Sequence, residues 1–164
     1  IELVNKGSLW LECKTLDKIL TGERKGSFMN NEFILKAEAI LRNADVAYIG
    51  KIDERGYPRV STISSIKTDG INKVWFVTGL KSNKVKLFRD NNKASVCYHE
   101  GLNNVTLVGD IEILTTGDIK EELWKDWFIK HFPGGITDPN YCGLEFTTRE
   151  VIIWIDNHYE EIKI

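Results

Sequence analysis

The sequence predicts a mainly β protein in which an antiparallel barrel is flanked by helices. Short stretches rich in β-branched and aromatic residues follow one another in runs of two or three, separated by turn residues. Such runs favour antiparallel hairpins over the alternating strands and helices of a parallel sheet. A length of 164 residues suits a single domain with a sizeable core.

The composition indicates which partners the protein is expected to lack and in which compartment it is expected to lie. The formal net charge of −2 argues against nucleic acid or an anionic membrane surface as a partner. No apolar run approaches the roughly 20 residues that a membrane-spanning helix needs. Cys13, Cys97 and Cys142 are odd in number and widely spaced, which predicts reduced cysteines in a cytoplasmic protein rather than disulfides or structural zinc.

The domain is predicted to cover residues 29–164, beginning at the only Met, behind an N-terminal extension over residues 1–28. The extension has apolar residues without a clear period, so no role is assigned to it. An amphipathic helix follows, capped by Asn30 and ending near Asn43. Its apolar positions fall at helical spacing: Phe33, Ala37, Ile40, Leu41 and Ala44.

Three strands come next. The first covers Val46 to Ile52, and the turn at residues 53–56 joins it in a hairpin to the second. The second runs from Pro58 to about Lys67, with proline at the strand start, where a missing N–H is tolerated. After the Asp69-Gly70 turn, the third strand covers Lys73 to Thr78.

The third strand runs through Thr78 and Gly79 into a helix start at which Ser82 takes the N-cap position. Free N–H groups, a hydroxyl and the Lys84 ammonium then meet at one point, which is how proteins hold a phosphate. The alternative is an ordinary turn with a solvated lysine. This helix is predicted to end near Asn91, which tolerates a left-handed exit conformation.

The remaining strands are predicted at four places, and Gly109 is expected to form a bulge or bend in the second of them. They cover Ala94 to His99, Asn104 to Leu114, Tyr141 to Thr147, and Glu150 to Asp156. Between them, Asp118 and Glu121 resemble a capping box at the start of a helix. That helix has an apolar face made of Ile119, Leu123, Trp127 and Phe128.

Polar side chains alternate along the second strand. Arg59, Ser61 and Ile63 share one face, while Val60, Thr62 and Ser64 share the other. Either row is a solvated face or the lining of a polar ligand site. The three histidines lack metal-ligand spacing, and no nucleophile-elbow or Walker pattern occurs, so chemistry is expected to depend on a cofactor.

Four segments together resemble the pyridoxamine 5′-phosphate oxidase-like FMN-binding split-barrel family, and most closely its general-stress-protein branch. They are Gly56 to Ser61, Trp75 to Thr78, Ser82 to Val85, and Val105 to Gly109, in family order and spacing. The resemblance covers roughly residues 31–156. It implies a six-stranded antiparallel split barrel and a homodimer with one FMN at each end of the interface.

The resemblance also implies cofactor contacts at named positions. Arg59, Ser82 and Lys84 would hold the flavin phosphate, Val77 and Thr78 would meet the flavin, and Asn104 would lie near its ring. Trp154 would supply ring contacts from the partner subunit, with a core tryptophan as the alternative. The full set of expected FMN-binding residues is Arg59, Val60, Ser61, Val77, Thr78, Ser82, Asn83, Lys84, Asn104 and Trp154.

This chain departs from the oxidases at three places. Ser64 and Asn83 stand where the oxidases have basic residues, and the C-terminal substrate-binding Arg–His signature has no counterpart. Oxidation of pyridoxamine 5′-phosphate is therefore not expected. The resemblance implies an FMN-dependent oxidoreductase that passes hydride or electrons from a reduced nicotinamide to an acceptor. The alternatives are a flavin-binding stress protein or sensor without turnover, and a member of the fold that binds haem or deazaflavin.

Overall fold

The computed structural model describes residues 31–164. The predicted extension over residues 1–28 and the Asn30 cap lie outside this range. The first helix, α1, covers residues 31–43, as its apolar spacing predicted. It buries Ala37, Ile40 and Leu41.

Seven strands follow, all paired in antiparallel fashion. Their bounds are β1 Val46–Ile52, β2 Pro58–Asp69, β3 Lys73–Gly79, β4 Lys93–Glu100, β5 Asn103–Leu114, β6 Tyr141–Ile155 and β7 His158–Lys163. The sheet order is β3-β2-β1-β4-β5-β6-β7, and an additional pairing of β3 with β6 closes the first six strands into a barrel. This confirms the predicted six-stranded antiparallel split barrel.

The barrel interior is filled by apolar side chains, and buried positions alternate with less buried ones most clearly along β1, β4 and β5. Fully buried residues on five neighbouring strands are Ile49, Phe76, Val96, Leu107 and Ile153. Helix α2, Asn83–Asp90, lies between β3 and β4 in the chain and buries Val85, Leu87 and Phe88. The alternation fixes which side chains point inward, and it therefore places the polar residues of β1 and β2 described below.

The prediction of two separate final strands is wrong, because both belong to the single strand β6. The interruption read from the sequence is a bulge: Val108 pairs with Glu150 and Gly109 with Thr148, which leaves Arg149 with no residue opposite it on β5. The predicted irregularity at Gly109 is confirmed. A Cβ at this position would lie 2.0 Å from the carbonyl oxygen of Thr147, so only glycine fits.

Strand β7 was not predicted. Asp156 and Asn157 connect it to β6 with φ of 54° and 61°, the left-handed backbone of a tight two-residue hairpin. Asp and Asn accept this conformation more readily than other non-glycine residues. The Asp-Asn pair was therefore the local signal for a further strand.

The long helix predicted after Asp118 is also wrong. Helix α3 covers only Asp118–Glu122, and its N-cap is Gly117 without a side-chain capping bond. The backbone is extended at Lys125, and a 3-10 helix, Asp126–Lys130, then begins. A second 3-10 helix follows at Gly135–Thr137. Leu123 is buried beside Gly143 of β6, whereas Phe128 packs against Tyr141, so packing on the sheet overrides the helical period.

Helix α2 ends differently from the prediction. Asn91 has an extended backbone, with φ −148° and ψ 110°, instead of a left-handed one. Its side-chain oxygen accepts a hydrogen bond from the N–H of Lys93, where β4 begins. The chain passes directly from helix to strand here, and that path needs no left-handed residue.

Other predictions concern cysteines, metals and membranes. Cys97 and Cys142 are free thiols, and Cys13 lies outside the described residues. Within residues 31–164, no group of three or more His, Cys, Asp or Glu side chains is arranged to hold a metal ion. No helix in this range is long and apolar enough to cross a membrane.

Candidate cofactor site

The turn between β3 and α2 is built as the sequence predicted. The Ser82 hydroxyl caps α2 by accepting a hydrogen bond from the N–H of Val85 over 3.3 Å. Asn140 secures the turn, because its carbonyl oxygen accepts from Leu80 N–H and its side-chain oxygen accepts from Lys81 N–H. The first turn of α2 contains no acidic residue, so its positive end is not neutralised from within the helix.

Lys84 reaches from α2 across to β2. Its Nζ donates a hydrogen bond to the carbonyl oxygen of Thr62 over 3.3 Å. In the part of the chain that the structure describes, no carboxylate pairs with this ammonium group. Burial, reinforced by the charge of Lys51, lowers the pKa of Lys84 to about 8. When the Lys84 amine is protonated, no anion among the described residues therefore neutralises its charge.

Arg59 and Ser61 belong to the same inward row of β2. They lie opposite Lys51 and Ile49 of β1, respectively. The Ser61 hydroxyl oxygen is the buried side-chain polar atom of residues 31–164 that lacks a hydrogen-bond partner. Such atoms are rare in folded proteins and call for an explanation such as a missing ligand. Val60, in contrast, points outward and is 68% exposed.

The β1–β2 turn orients Arg59. The carboxylate of Asp53 accepts hydrogen bonds from the N–H groups of Tyr57 and Arg55, and from the Arg55 side chain over 3.0 Å. Nη1 of Arg59 lies 3.7 Å from the same carboxylate. The Tyr57 N–H and then the Arg55 side chain hold the pKa of Asp53 below its usual value, so this residue stays ionised beside Arg59.

A cavity of about 400 Å³ lies between the end of β3 and the first 3-10 helix, and it reaches the turn before α2 through Gly79 and Asn140. Ser64, Val77 and Thr78 come from the strands, and Trp127, His131 and Asn140 complete the wall. Trp127 and Phe128 meet edge to face with 4.3 Å between ring centroids, and Phe128, Phe132 and Tyr141 form a buried aromatic cluster. The cavity therefore combines an aromatic wall with a few polar groups, as is usual for a ring-binding site.

Two of the expected site residues lie elsewhere. Asn104 on β5 pairs with Trp154 on β6, and both point away from the buried residues Val105 and Ile153. Trp154 is 38% exposed, so it is not a core tryptophan. Strands β1 and β4 separate β5 from β2, and these two residues are on the outer surface of the barrel.

Within one chain, the structure thus brings together only part of the expected site. Ser82 and Lys84 lie at the start of α2, and Lys84 reaches the strand β2 that carries Arg59 and Ser61. Val77 and Thr78 line the cavity. Asn83 is exposed on the first turn of α2. Sequence reasoning missed Lys51, Asn140 and Trp127. The only signal for Lys51 was its alternation with Ala47 and Ile49, which predicts an inward position on β1.

Comparison with known proteins agrees with this architecture. The family model described as pyridoxamine 5′-phosphate oxidase matches residues 35–155. The chain belongs to this family, and the resemblance read from the sequence is confirmed.

Several solved structures are similar to this chain. A Clostridium acetobutylicum protein related to general stress protein 26 of B. subtilis is 29% identical, with a TM-score of 0.74, over 81% of this chain and 95% of the other. General stress protein 26 of Bacillus anthracis is 16% identical, with a TM-score of 0.68, over 80% and 98%. A haem-binding protein of Mycobacterium smegmatis is 14% identical, with a TM-score of 0.65, over 79% and 57%. The last two show the fold alone. No curated protein sequence matches the chain.

Proposed function

We propose that the protein binds FMN and acts as an oxidoreductase, passing hydride or electrons from a reduced nicotinamide to an acceptor. The observation that carries the proposal is the half-buried Lys84 ammonium, which a single backbone carbonyl holds beside Ser82 and the start of α2. An ammonium group, a hydroxyl and a helix N-terminus are the donors that bind a phosphate monoester.

The residues present fit the phosphate end of FMN. Arg59 adds a guanidinium on the adjoining strand, and the unpartnered hydroxyl of Ser61 is available as a further donor. Because Lys84 loses part of its charge to burial, a bound dianion would restore the ordinary protonation of the amine. These residues would bind and orient the cofactor through its phosphate.

The neighbouring cavity fits the ring end. Val77 and Thr78 form its floor and the aromatic 3-10 helix forms its wall, so a planar ring placed there would be shielded from water. When bound, FMN supplies a ring that accepts and releases hydride or single electrons. No protein acid or base is required for that transfer.

We propose further that the protein is a cytoplasmic homodimer with FMN at the subunit interface. The outer face of β1 and β2 exposes Val46, Tyr48, Ile52 and Val60, which together form an apolar surface typical of an interface. Asn104 and Trp154 also lie on the outer surface of the barrel. A partner subunit packed on this surface would bring these two residues to the ring from the opposite side.

The absorption spectrum of the purified protein, followed by an anaerobic titration with reduced nicotinamide, tests the proposal. Flavin absorption that bleaches on addition of the reductant supports an oxidoreductase. Flavin absorption that never bleaches supports the flavin-binding stress protein or sensor instead. A Soret band, or failure to bind added FMN, would contradict the proposal and favour the haem or deazaflavin alternative.

A further inference from the structure

Lys51, at the end of β1, is a buried lysine. It is 8% exposed and lies directly opposite Arg59 in the β1–β2 register. Residues paired in this way have Cβ atoms about 5 Å apart on the same face of the sheet. Lysine is rarely buried unless its charge is paired. Among residues 31–164, however, no carboxylate makes a hydrogen bond or ion pair with Lys51.

The positive charges of Arg59 and Lys84 repel the ammonium group of Lys51. Burial, and then the charge of Arg59, lowers the pKa of Lys51, and the charge of Lys51 in turn lowers the pKa of Lys84. The carboxylate of Asp53, two residues further along the chain, already accepts three hydrogen bonds within its own turn. Three cations from β1, β2 and α2 are therefore held near one another, and among the described residues only Arg59 of the three has a carboxylate within ion-pair distance, that of Asp53. An arrangement that costs free energy in the free protein indicates an anionic ligand.

We propose that Lys51 is a third cationic ligand of the phosphate and that it makes the site selective for a doubly charged phosphate monoester. This inference rests on the proposed function, because it takes the FMN phosphate as the occupant. Lys84 and Arg59 approach from the helix and from β2, whereas Lys51 approaches from β1. A dianion placed among them offsets the two charges of Lys51 and Lys84, which lack a carboxylate, and weakens the repulsion among the three cations.

Titrations of the purified full-length protein with FMN and with riboflavin, which lacks the phosphate, test this role. Lys51→Met keeps the length of the side chain and removes its charge, and Lys86→Met removes a charge from the exposed face of α2 as a control. We expect Lys51→Met to weaken FMN binding roughly ten- to a hundredfold and to leave riboflavin binding nearly unchanged. Lys86→Met should change neither, and Lys51→Arg should retain most of the FMN affinity.

The pH dependence separates a ligand from a structural residue. In the unsubstituted protein, FMN affinity should fall as pH rises through about 8, because Lys84 then loses its proton. Removing the Lys51 charge raises the pKa of Lys84, so this decline should move to higher pH in Lys51→Met. Equal losses for both flavins, or an unmoved decline, would overturn the proposal. Circular dichroism establishes that each variant is folded.

Inorganic phosphate distinguishes failure of this inference from failure of the proposed function. Phosphate should raise the melting temperature of the unsubstituted protein above that in chloride of equal ionic strength, and Lys51→Met should lose this shift. If FMN does not bind but the phosphate shift depends on Lys51, the anion site stands and the flavin function fails. If FMN binds equally well to Lys51→Met, the function stands and the role of Lys51 is wrong. Absence of both FMN binding and the phosphate shift contradicts both.

Discussion

Lys84 of α2 and Thr62 of β2 are joined by one hydrogen bond, in which the lysine Nζ donates to the threonine carbonyl oxygen over 3.3 Å. This bond ties the first turn of the helix to the strand that carries Arg59. It positions the ammonium but does not neutralise it, because a carbonyl oxygen carries no net charge. The same lysine is therefore well placed for binding and poorly compensated in the free protein.

Replacing Lys84 by alanine should weaken FMN binding by about one to two orders of magnitude, because a charge-assisted hydrogen bond contributes about 1.5–3 kcal/mol. Riboflavin has no phosphate, so its affinity should hardly change. Fluorescence titration of both ligands measures the difference, with Lys86→Ala as a control on the same helix. A parallel loss for the two flavins would show that Lys84 does not contact the phosphate.

Lys84 should also lower the stability of the flavin-free protein at neutral pH. Its pKa is about 8 in the folded state against 10.5 for an ordinary lysine, so the folded protein disfavours the charged form. The resulting loss of unfolding free energy is fully present below pH 8 and disappears as pH rises from about 8 to 10.5. Lys84→Met should therefore be more stable than the unsubstituted protein at pH 7, and the gap should close over that interval. Urea unfolding at several pH values measures the difference in unfolding free energy between the two proteins. A difference that does not change with pH would contradict the lowered pKa of Lys84.

Flavin binding and dimerisation should be linked. A ligand that contacts two chains binds the dimer better than the monomer and stabilises the dimer by that difference in affinity. Sedimentation over a dilution series should show dissociation at lower protein concentration when FMN is added. A monomer that binds FMN at full stoichiometry would refute the proposed interface.

Gly109→Ala should destabilise the barrel by about 1–3 kcal/mol, the usual cost of overpacking. The added Cβ would lie 2.0 Å from the Thr147 carbonyl oxygen, and the backbone of β6 would have to move. Gly50→Ala is the matched control, since its Cβ would be 3.7 Å from the nearest atom, an ordinary contact. Urea denaturation compares the unfolding free energies of the two variants. Similar losses in both would mean that the backbone at the bulge moves to accept the added Cβ at no extra free-energy cost.

The FMN-loaded protein should not oxidise pyridoxamine 5′-phosphate at a useful rate. The cavity beside Ser64 contains no lysine or arginine among its described lining residues, so no permanently charged side chain there neutralises a substrate phosphate. Assay of pyridoxal phosphate formation over many turnovers tests this. Sustained product formation would show that another part of the protein supplies the missing charge.

The sequence by itself determined the features that depend on neighbouring residues. Alternation and the Asp53–Gly56 turn gave β1, β2 and their hairpin within two residues, and the Ser82 cap followed from its place before an apolar helical spacing. The order of these segments also identified the family and the barrel. The strands, the turn and the cap are local features, because each is completed by a few consecutive residues.

Tertiary structure decided what depends on contacts across strands. Whether Arg149 ends a strand or forms a bulge depends on how closely β5 approaches β6 at Gly109. The short helix α3 reflects the packing of Leu123 and Phe128 on the sheet, against their own helical period. Lys51 became a candidate ligand only through its burial and its register with Arg59, because burial and charge repulsion depend on contacts between strands.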